Sequence, residues 1–316
     1  MVCHNCQVLA NKFGKHRNGL QRFRCNQCRR TFTEDHQKPL DEMRIPFDKA
    51  LLCLQLLIEG SSIRSTERIT GISKRAILDL LVLAGERCER LMEEKLRNVR
   101  VSDIQADEIW CYVGMKEKTK KRKGKDGDTL GDAYTFVAFE RQSKLIVAWH
   151  LGRRTERDTL LFTEKIYKAI DGTENRFQMT TDGFGGYPDA VSYSLGTRVD
   201  YSQLIKMYAA PSEDEKRYSP ARCIGAKPIP MFGDPDPELI CTSHVERQNL
   251  NIRMAMRRFT RLTNGFSKKW ENLRAALALY FAYYNFCRIH STIRCTPAMA
   301  AGITKSVWEL KDLLAA

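Results

Sequence analysis

The sequence predicts a mixed α/β domain that follows a small metal-stabilised segment and an all-helical segment. Three observations support this organisation. Two Cys-x-x-Cys pairs lie near the N-terminus, helically spaced apolar residues begin at Phe47, and from about residue 101 the apolar residues alternate as in β-strands. The expected boundaries are 1–38 for the metal-stabilised segment, 45–98 for the helical segment and 101–316 for the α/β domain.

The N-terminal cysteines predict a zinc ribbon. Cys3-x-x-Cys6 and Cys25-x-x-Cys28 are separated by eighteen residues, which is zinc-ribbon spacing. Four thiolates complete a tetrahedral shell, and two-residue spacers let neighbouring sulfurs reach one ion. A segment this short cannot fold on its own core, so one structural Zn²⁺ is expected to supply the missing stability. A redox pair is the weaker alternative, because two such pairs occur together.

The segment that follows predicts a helix-turn-helix. A first helix from Phe47 ends at Gly60, and Ser62 can cap a short second helix. Gly71 then begins a tight turn, and Ser73 can cap a third helix.

The third helix is expected over 74–83 and a fourth over 86–97. Lys74 and Arg75 occupy the first turn of the third helix, the end that a recognition helix presents to base edges. They are therefore candidate DNA-binding residues. An ordinary three-helix packing unit is the alternative.

The order of elements after residue 101 is typical of a ribonuclease-H-like α/β fold. Strands are expected over 104–113, 134–140, 145–151, 177–181 and 199–208, and helices over 156–170 and 187–195. Three strands, a helix, a strand, a helix and a strand follow one another in that scheme.

Three acidic residues stand out by position. Asp107 lies in the middle of a strand, where a charge is costly unless it binds something. Asp182 ends a strand and precedes a glycine-rich turn, at the edge where α/β sheets bind ligands. Glu246 opens a long helix, and Arg253 and Arg257 are expected to share its flank.

Three carboxylates from two strands and a helix suit a pair of Mg²⁺ or Mn²⁺ ions, which prefer oxygen ligands. Three structural alternatives remain open. Glu108 takes the place assigned to Asp107, Asp182 is an ordinary turn residue, or Glu246 is a helix cap. The joint occurrence of all three acids beside a zinc ribbon and basic clusters favours catalysis.

The charge is concentrated, which favours a polyanionic partner. The 316 residues include 43% hydrophobic ones, enough for a sizeable core, and the net charge is +14. Residues 1–45 carry +5, residues 116–125 carry +6 and residues 246–274 carry +6. A solvated face or loop is the alternative for each stretch, and for the run 116–125 alone it is equally consistent with the sequence. Three such stretches in one chain favour nucleic acid over an anionic membrane.

No membrane partner is expected. The longest apolar run, 275–284, has ten residues, well short of the roughly 20 that span a bilayer. Met1 leads straight into Cys3 and Cys6, so no secretory signal is expected. The eleven cysteines are an odd number and mostly isolated, which indicates a reducing compartment. A cytoplasmic, nucleoid-associated protein is the expectation.

Three blocks of the sequence resemble the catalytic blocks of the insertion-sequence-1 family of bacterial DDE transposases. They are DEIWCYVG (107–114), TTDGFGGY (180–187) and HVERQNLNIRMAMRRFTRLTNGFSKK (244–269), of which the last is the most specific. A zinc ribbon and a helix-turn-helix ahead of the catalytic domain are also similar to that family's architecture. The resemblance covers essentially the whole chain.

The resemblance implies an integrase-like, ribonuclease-H-like core with Asp107, Asp182 and Glu246 as catalytic ligands of two Mg²⁺ (or Mn²⁺) ions. It implies a polynucleotidyl transferase that binds terminal inverted repeats, cleaves DNA ends and transfers strands into target DNA as a homodimer or higher oligomer. The alternatives are a non-enzymatic DNA-binding regulator derived from a transposase and a stand-alone nuclease.

Two segments depart from the family pattern. The run 116–125 is expected to extend a β-hairpin, and 209–240 is an insert that holds six of the ten prolines. Both are candidates for altered DNA contacts. The basic residues expected to contact DNA are Lys74, Arg75, Lys120, Lys121, Arg122, Lys123, Arg247, Arg253 and Arg257.

Overall fold

The chain is divided by its contacts into a small and a large unit. The computed structural model describes residues 1–17, 19–34, 39–172, 175–209, 222–260 and 263–315. One unit consists mainly of Met1–Glu42, and the other runs from Met43 to Leu314. Among these described residues, none of the helices is long and apolar enough to cross a membrane.

The small unit is a three-stranded antiparallel sheet. Its strands, in the order β1-β2-β3, are β1 (Ala10–Lys15), β2 (Gln21–Cys25) and β3 (Thr31–Thr33). Phe23 stacks on Phe32 with their ring centroids 6.0 Å apart. Most of its other side chains are exposed, so the sheet has almost no apolar core of its own.

The large unit begins with three helices, α1 (Phe47–Ile58), α2 (Ile63–Thr70) and α3 (Lys74–Lys95). The predicted caps are confirmed, because the Ser62 and Ser73 hydroxyls each accept a hydrogen bond from the backbone N–H three residues ahead. The three helices begin where the sequence predicts them, and the helix-turn-helix itself stays a prediction.

The prediction of two helices over 74–83 and 86–97 was wrong, since α3 is continuous. Gly85 does not end a helix. It lies where α3 packs against α8 (Trp270–Phe286), and a Cβ at Gly85 would lie 2.5 Å from the Ala275 Cβ. The glycine therefore permits a close crossing of two helices.

A six-stranded mixed sheet forms the centre of the described large unit, and five of its strands are the ones that the sequence predicts. Its strands are β4 (Asp103–Val113), β5 (Gly131–Glu140), β6 (Ile146–Gly152), β7 (Phe177–Asp182), β8 (Val199–Ala209) and β9 (Arg222–Phe232). They lie in the order β6-β5-β4-β7-β8-β9. The β4–β7 and β7–β8 pairs are parallel, and the other neighbours are antiparallel.

Strand β9 was not predicted, because the segment 209–240 was interpreted as an insert. It contains Pro228 and Pro230, which an edge strand tolerates, and it pairs with β8 alone. The part of that insert from 210 to 221 lies outside the described residues.

Helices cover both faces of the sheet. They are α5 (Glu156–Ile170), α6 (Tyr187–Leu195), α7 (Ser243–Ala255) and α8, followed by the short α9 (Pro297–Ala300) and α10 (Leu310–Ala315). On one face Phe136 of β5 contacts Phe162 of α5 and Tyr187 of α6. On the other, Trp149 of β6 contacts Phe281 of α8. The bounds of α5 and α6 match those predicted.

Two further predictions were wrong. The run 116–125 does not extend a hairpin but forms a short helix, α4 (Glu117–Arg122), whose Glu117 N–H donates to Asp132 Oδ1 at 2.9 Å. Helix α7 ends at Ala255, and Arg257 lies beyond it in a 3₁₀ turn. Arg257 therefore does not share the helical flank of Glu246.

Candidate functional site

Four cysteines of the small unit come together, as their spacing predicts. The sulfur atoms of Cys3, Cys6, Cys25 and Cys28 all lie within 4.8 Å of one another. A hydrogen bond with the Cys28 thiol is the main cause that raises the pKa of Cys6 to about 11. Four sulfur donors around one point are the ligand set of a structural Zn²⁺.

The two Cys-x-x-Cys segments fold into equivalent turns. In each, the N–H of the first cysteine donates to the carbonyl five residues ahead, at 2.8 Å for Cys3 and 3.0 Å for Cys25. The residue after the second cysteine, Gln7 or Arg29, has a φ of 55° in both. Two segments that are distant in sequence therefore each supply a pair of sulfurs from a turn of the same conformation.

The two predicted aspartates lie side by side where two central strands separate. The parallel pairing of β4 with β7 ends at Ala106 and Thr181, and the next residues are Asp107 and Asp182. Carboxylate oxygens of Asp107, Glu108 and Asp182 lie within 4.8 Å of one another. These three residues are called the acidic cluster below.

Asp107 and Glu108 face opposite sides of the sheet. Asp107 Oδ2 accepts a hydrogen bond from Asn249 Nδ2 of α7 at 2.8 Å. Glu108 Oε2 accepts one from the Tyr187 hydroxyl of α6 at 3.0 Å. Successive side chains of a strand alternate in this way. Asp107 therefore shares its face with α7, the helix that carries Glu246.

A buried glutamine fixes the start of α7 against β4. Gln105, on the same face of β4 as Asp107, accepts hydrogen bonds from the N–H groups of His244 and Val245 at 2.9 and 3.2 Å. Free N–H groups at a helix start need such an acceptor. Gln105 therefore positions Glu246, which lies one residue further along α7. In the sequence, only the position of Gln105 two residues before Asp107 indicates that it positions α7.

Glu246 is not part of the acidic cluster. Its side chain is 39% exposed, and its carboxylate accepts hydrogen bonds from Lys206 Nζ and Thr242 Oγ1. Glu246 is still close enough to the two aspartates to act on them through its charge. Burial is the main cause that raises the pKa of Asp107 and of Asp182, and the negative charge of Glu246 raises both pKa values further.

Arg154, which no sequence pattern indicated, bridges the acidic cluster. Its Nε donates to Glu108 Oε1, and its Nη2 lies 3.5 Å from Asp182 Oδ2. The guanidinium lies over the Phe184 ring, 4.3 Å from its centroid. Because Arg154 is 46 residues from Glu108 in sequence, only the tertiary structure shows the contact.

The electrostatics of the acidic cluster suit a divalent cation. Burial, followed by the charges of Asp182 and Glu108, raises the pKa of Asp107 to about 7. Burial also raises the pKa of Glu108 and of Asp182. The donors are all oxygens, as Mg²⁺ prefers, and the nearby Asn249 Oδ1 is buried without a hydrogen-bond partner in the described structure. The residues therefore fit a magnesium or manganese ion.

Replacing Asp107 with asparagine is expected to stabilise the metal-free protein. A carboxyl whose pKa is raised on folding disfavours the folded state once the pH exceeds its unfolded-state pKa, and the penalty grows until the pH passes its folded-state pKa. In EDTA, D107N should gain about 2 kcal/mol at pH 8 and less than half of that at pH 5. Urea unfolding at both pH values measures it.

The exposed Asp79, on α3, provides the control for this experiment, since D79N should change stability little at either pH. If D107N is no more stable than the wild type at pH 8, the carboxylate of Asp107 is not under the electrostatic strain that its burial and its acidic neighbours imply.

The basic residues predicted to contact DNA differ in exposure. Arg75 is 94% exposed, while Lys74 lies 4.0 Å from Glu67. Lys120 is only 12% exposed and pairs with Glu117 at 3.6 Å. Those with exposed side chains are Lys74, Arg75, Lys121, Arg122, Lys123, Arg247 and Arg257. Arg253 is half-buried.

No family model matches the chain, and no curated protein matches it. Solved structures that are similar to it at low identity include the following two. The piggyBac transposase synaptic complex with hairpin DNA has 8% identity and a TM-score of 0.36, over 86% of this chain and 70% of that one. The Mos1 strand transfer complex has 14% identity and a TM-score of 0.22, over 57% of this chain and 62% of that one. Both TM-scores are low, so the function proposed for this chain depends on its own residues.

Proposed function

We propose that this protein is a DDE transposase, which cleaves the DNA ends of an insertion sequence and joins them to target DNA. The observation that carries the proposal is the position of Asp107 and Asp182, side by side where β4 and β7 separate. The resemblance of three sequence blocks to the insertion-sequence-1 family supports it. So does the ribonuclease-H-like strand order, in which β4 is central and β5 and β6 follow it on one side.

Glu246 is proposed as the third catalytic carboxylate. It comes from α7, on the face of the sheet to which Asp107 points. Glu108 points to the other face, where Tyr187 and Arg154 already bind its oxygens. Only 3% of the Glu108 side chain is exposed, against 39% for Glu246. Glu108 therefore serves to hold Arg154 in place.

Asp107, Asp182 and Glu246 would hold the divalent cations. When bound, such ions activate the attacking water or 3′-hydroxyl and stabilise the leaving oxygen. Lys206 and Arg154 neutralise the carboxylates at the edges of the site. Arg154, 41% exposed, is free on its outer side to contact a phosphate. Arg247, the residue after Glu246, is exposed and adds positive charge to α7.

The N-terminal modules are proposed to recognise the DNA ends. The four-cysteine unit would hold one Zn²⁺, and its exposed strands carry Lys12, Lys15 and Arg24. Helix α3 presents Lys74 and Arg75 in its first turn, on the exposed side. Each of these sets of basic residues, and the exposed lysines of α4, offers phosphate contacts.

The third carboxylate is tested by comparing Glu246→Gln with Glu108→Gln. Mn²⁺ is expected to raise the Tm of the wild type, since it binds only the folded site. E246Q should lose most of that rise, because a ligand is lost, whereas E108Q should keep it. Thermal unfolding at increasing Mn²⁺ concentration gives both results. If E108Q alone lost the rise in Tm, the third metal ligand would be Glu108 and not Glu246.

A further inference from the structure

The large unit contains a cavity of about 730 Å³ that is separate from the acidic cluster. The first three helices form one wall, through residues such as Leu57 and Leu78. The segment between α7 and α8, together with α8 itself, forms the other, through residues such as Phe266 and Tyr280. The cavity is thus large enough for a small organic molecule, and part of its wall is apolar and aromatic.

The charge along the cavity is of one sign. The five charged side chains that line it are all basic: Arg64, Lys74, Arg257, Arg258 and Lys268. No aspartate or glutamate is among the described residues that line it. Lys74 has an acidic partner outside the lining, Glu67, at 4.0 Å. A concave surface with this composition attracts anions.

Arg258 is the most informative of these residues. Its guanidinium donates to Ser267 Oγ at 3.1 Å, and within the described chain it forms no ion pair. Burial lowers the pKa of Arg258 to about 10. Arg258 keeps some solvent exposure, but a charge that is largely removed from water without a counter-charge is costly, and proteins usually pair it. The missing counter-charge indicates an anionic ligand in the cavity.

The shape of the Arg258 guanidinium and the side chains that line the cavity indicate which class of ligand would bind there. A guanidinium binds phosphate oxygens in a fork, which suits a phosphate ester. The part-exposed side chains of Leu78 and Phe266 offer an apolar and aromatic surface for a planar base. A ligand that combines both features is a nucleotide.

We propose that this cavity binds a nucleotide, either free or as one unit of a DNA strand, with its phosphate on Arg258 and its base against Phe266. The site shares Lys74 and Arg257 with the residues predicted to contact DNA. The inference does not depend on catalysis at the acidic cluster, because binding can be measured without any cleavage.

The test is isothermal titration calorimetry of the zinc-containing full chain, without added Mg²⁺ or Mn²⁺, with four probes: thymidine 5′-monophosphate, thymidine, inorganic phosphate and the oligonucleotide (dT)₄. The monophosphate is expected to bind at least about 10-fold more tightly than thymidine, since only it has the phosphate. R258M should weaken monophosphate binding by at least about 10-fold. If (dT)₄ binds more tightly than the monophosphate, the ligand of the cavity is a unit of a DNA strand. If the monophosphate binds more tightly, the ligand is a free nucleotide.

Two further variants distinguish binding in the cavity from a general effect of removing positive charge. Arg90→Met changes an exposed arginine of α3 that does not line the cavity, so it should bind the probes as the wild type does. Lys268→Ala removes an exposed lining charge without disturbing packing and should weaken monophosphate binding. The Tm of R258M should equal or exceed that of the wild type, whereas a purely structural arginine predicts a fall. Equal binding of monophosphate by R258M and the wild type, or of monophosphate and thymidine by the wild type, overturns the proposal.

Discussion

Replacing Asp182 with asparagine is expected to lower metal-dependent DNA cleavage and joining by on the order of 10³-fold or more. Asp182 is one of the two carboxylates that meet where β4 and β7 separate, and its oxygens face Arg154 and the Phe184 N–H. Asparagine keeps the size of the side chain but removes the charge that a cation requires. The chain should therefore fold and bind DNA while losing the chemistry.

The measurement uses the purified full chain, a labelled duplex made from the DNA that flanks the gene, and a supercoiled target plasmid, with Mg²⁺ or Mn²⁺. A denaturing gel separates nicked products from joined ones. DNA affinity, followed by a mobility shift, should change by no more than about 3-fold, because phosphate contacts come from basic side chains.

Asp171→Asn provides the matched control, since Asp171 is an exposed residue at the end of α5. If D182N joined DNA as well as the wild type does, Asp182 would not be a catalytic residue. Cleavage without joining by the wild type would instead assign a nuclease, and DNA binding without cleavage would assign a regulator.

Replacing Cys25 with serine is expected to unfold the small unit. Cys25 is completely buried, and its Sγ accepts a hydrogen bond from the Cys28 N–H at 3.5 Å. The unit has little apolar core, and a structural zinc contributes about 10–16 kcal/mol to segments of this kind. The loss of one thiolate should therefore remove both the ion and the fold of the small unit. The large unit, which has its own core, should stay folded.

Zinc content by mass spectrometry and amide spectra of the full chain measure the two effects. One zinc per wild-type chain and much less in C25S are expected, together with collapse of the dispersed signals from Ala10–Thr33. Cys223→Ser is the control, because Cys223 is exposed and lies outside the four-sulfur group. A full zinc content in C25S would contradict the proposed ligand set.

Much of the architecture follows from local sequence pattern. The caps at Ser62 and Ser73, the bounds of α5 and α6, and five strands of the large sheet were all predictable. Their signals are short-range, since capping residues, turn glycines and apolar periodicity act within a few residues of one another. Asp107 and Asp182 could be singled out because a charge in a strand is unusual in itself.

The errors occurred where distant packing decided the local conformation. Gly85 is a typical helix-ending residue, yet α3 continues through it because α8 packs closely there. Helix α7 ends before Arg257 although the sequence pattern continues, and both Met256 and Phe259 are buried beyond the end. No local pattern carries this information, because the contacting residues are far apart in sequence.

The sequence by itself determined the four-cysteine cluster, the mixed sheet and the pair of aspartates at its centre, because spacing and periodicity act along the chain. Only the tertiary structure decided that Asp107 faces α7 while Glu108 faces Arg154 and Tyr187. It also decided that Arg258 lines a basic cavity with no counter-charge among the described residues. These facts depend on side chains brought together from distant segments. Their partners are chosen by packing, which the order of residues alone does not reveal.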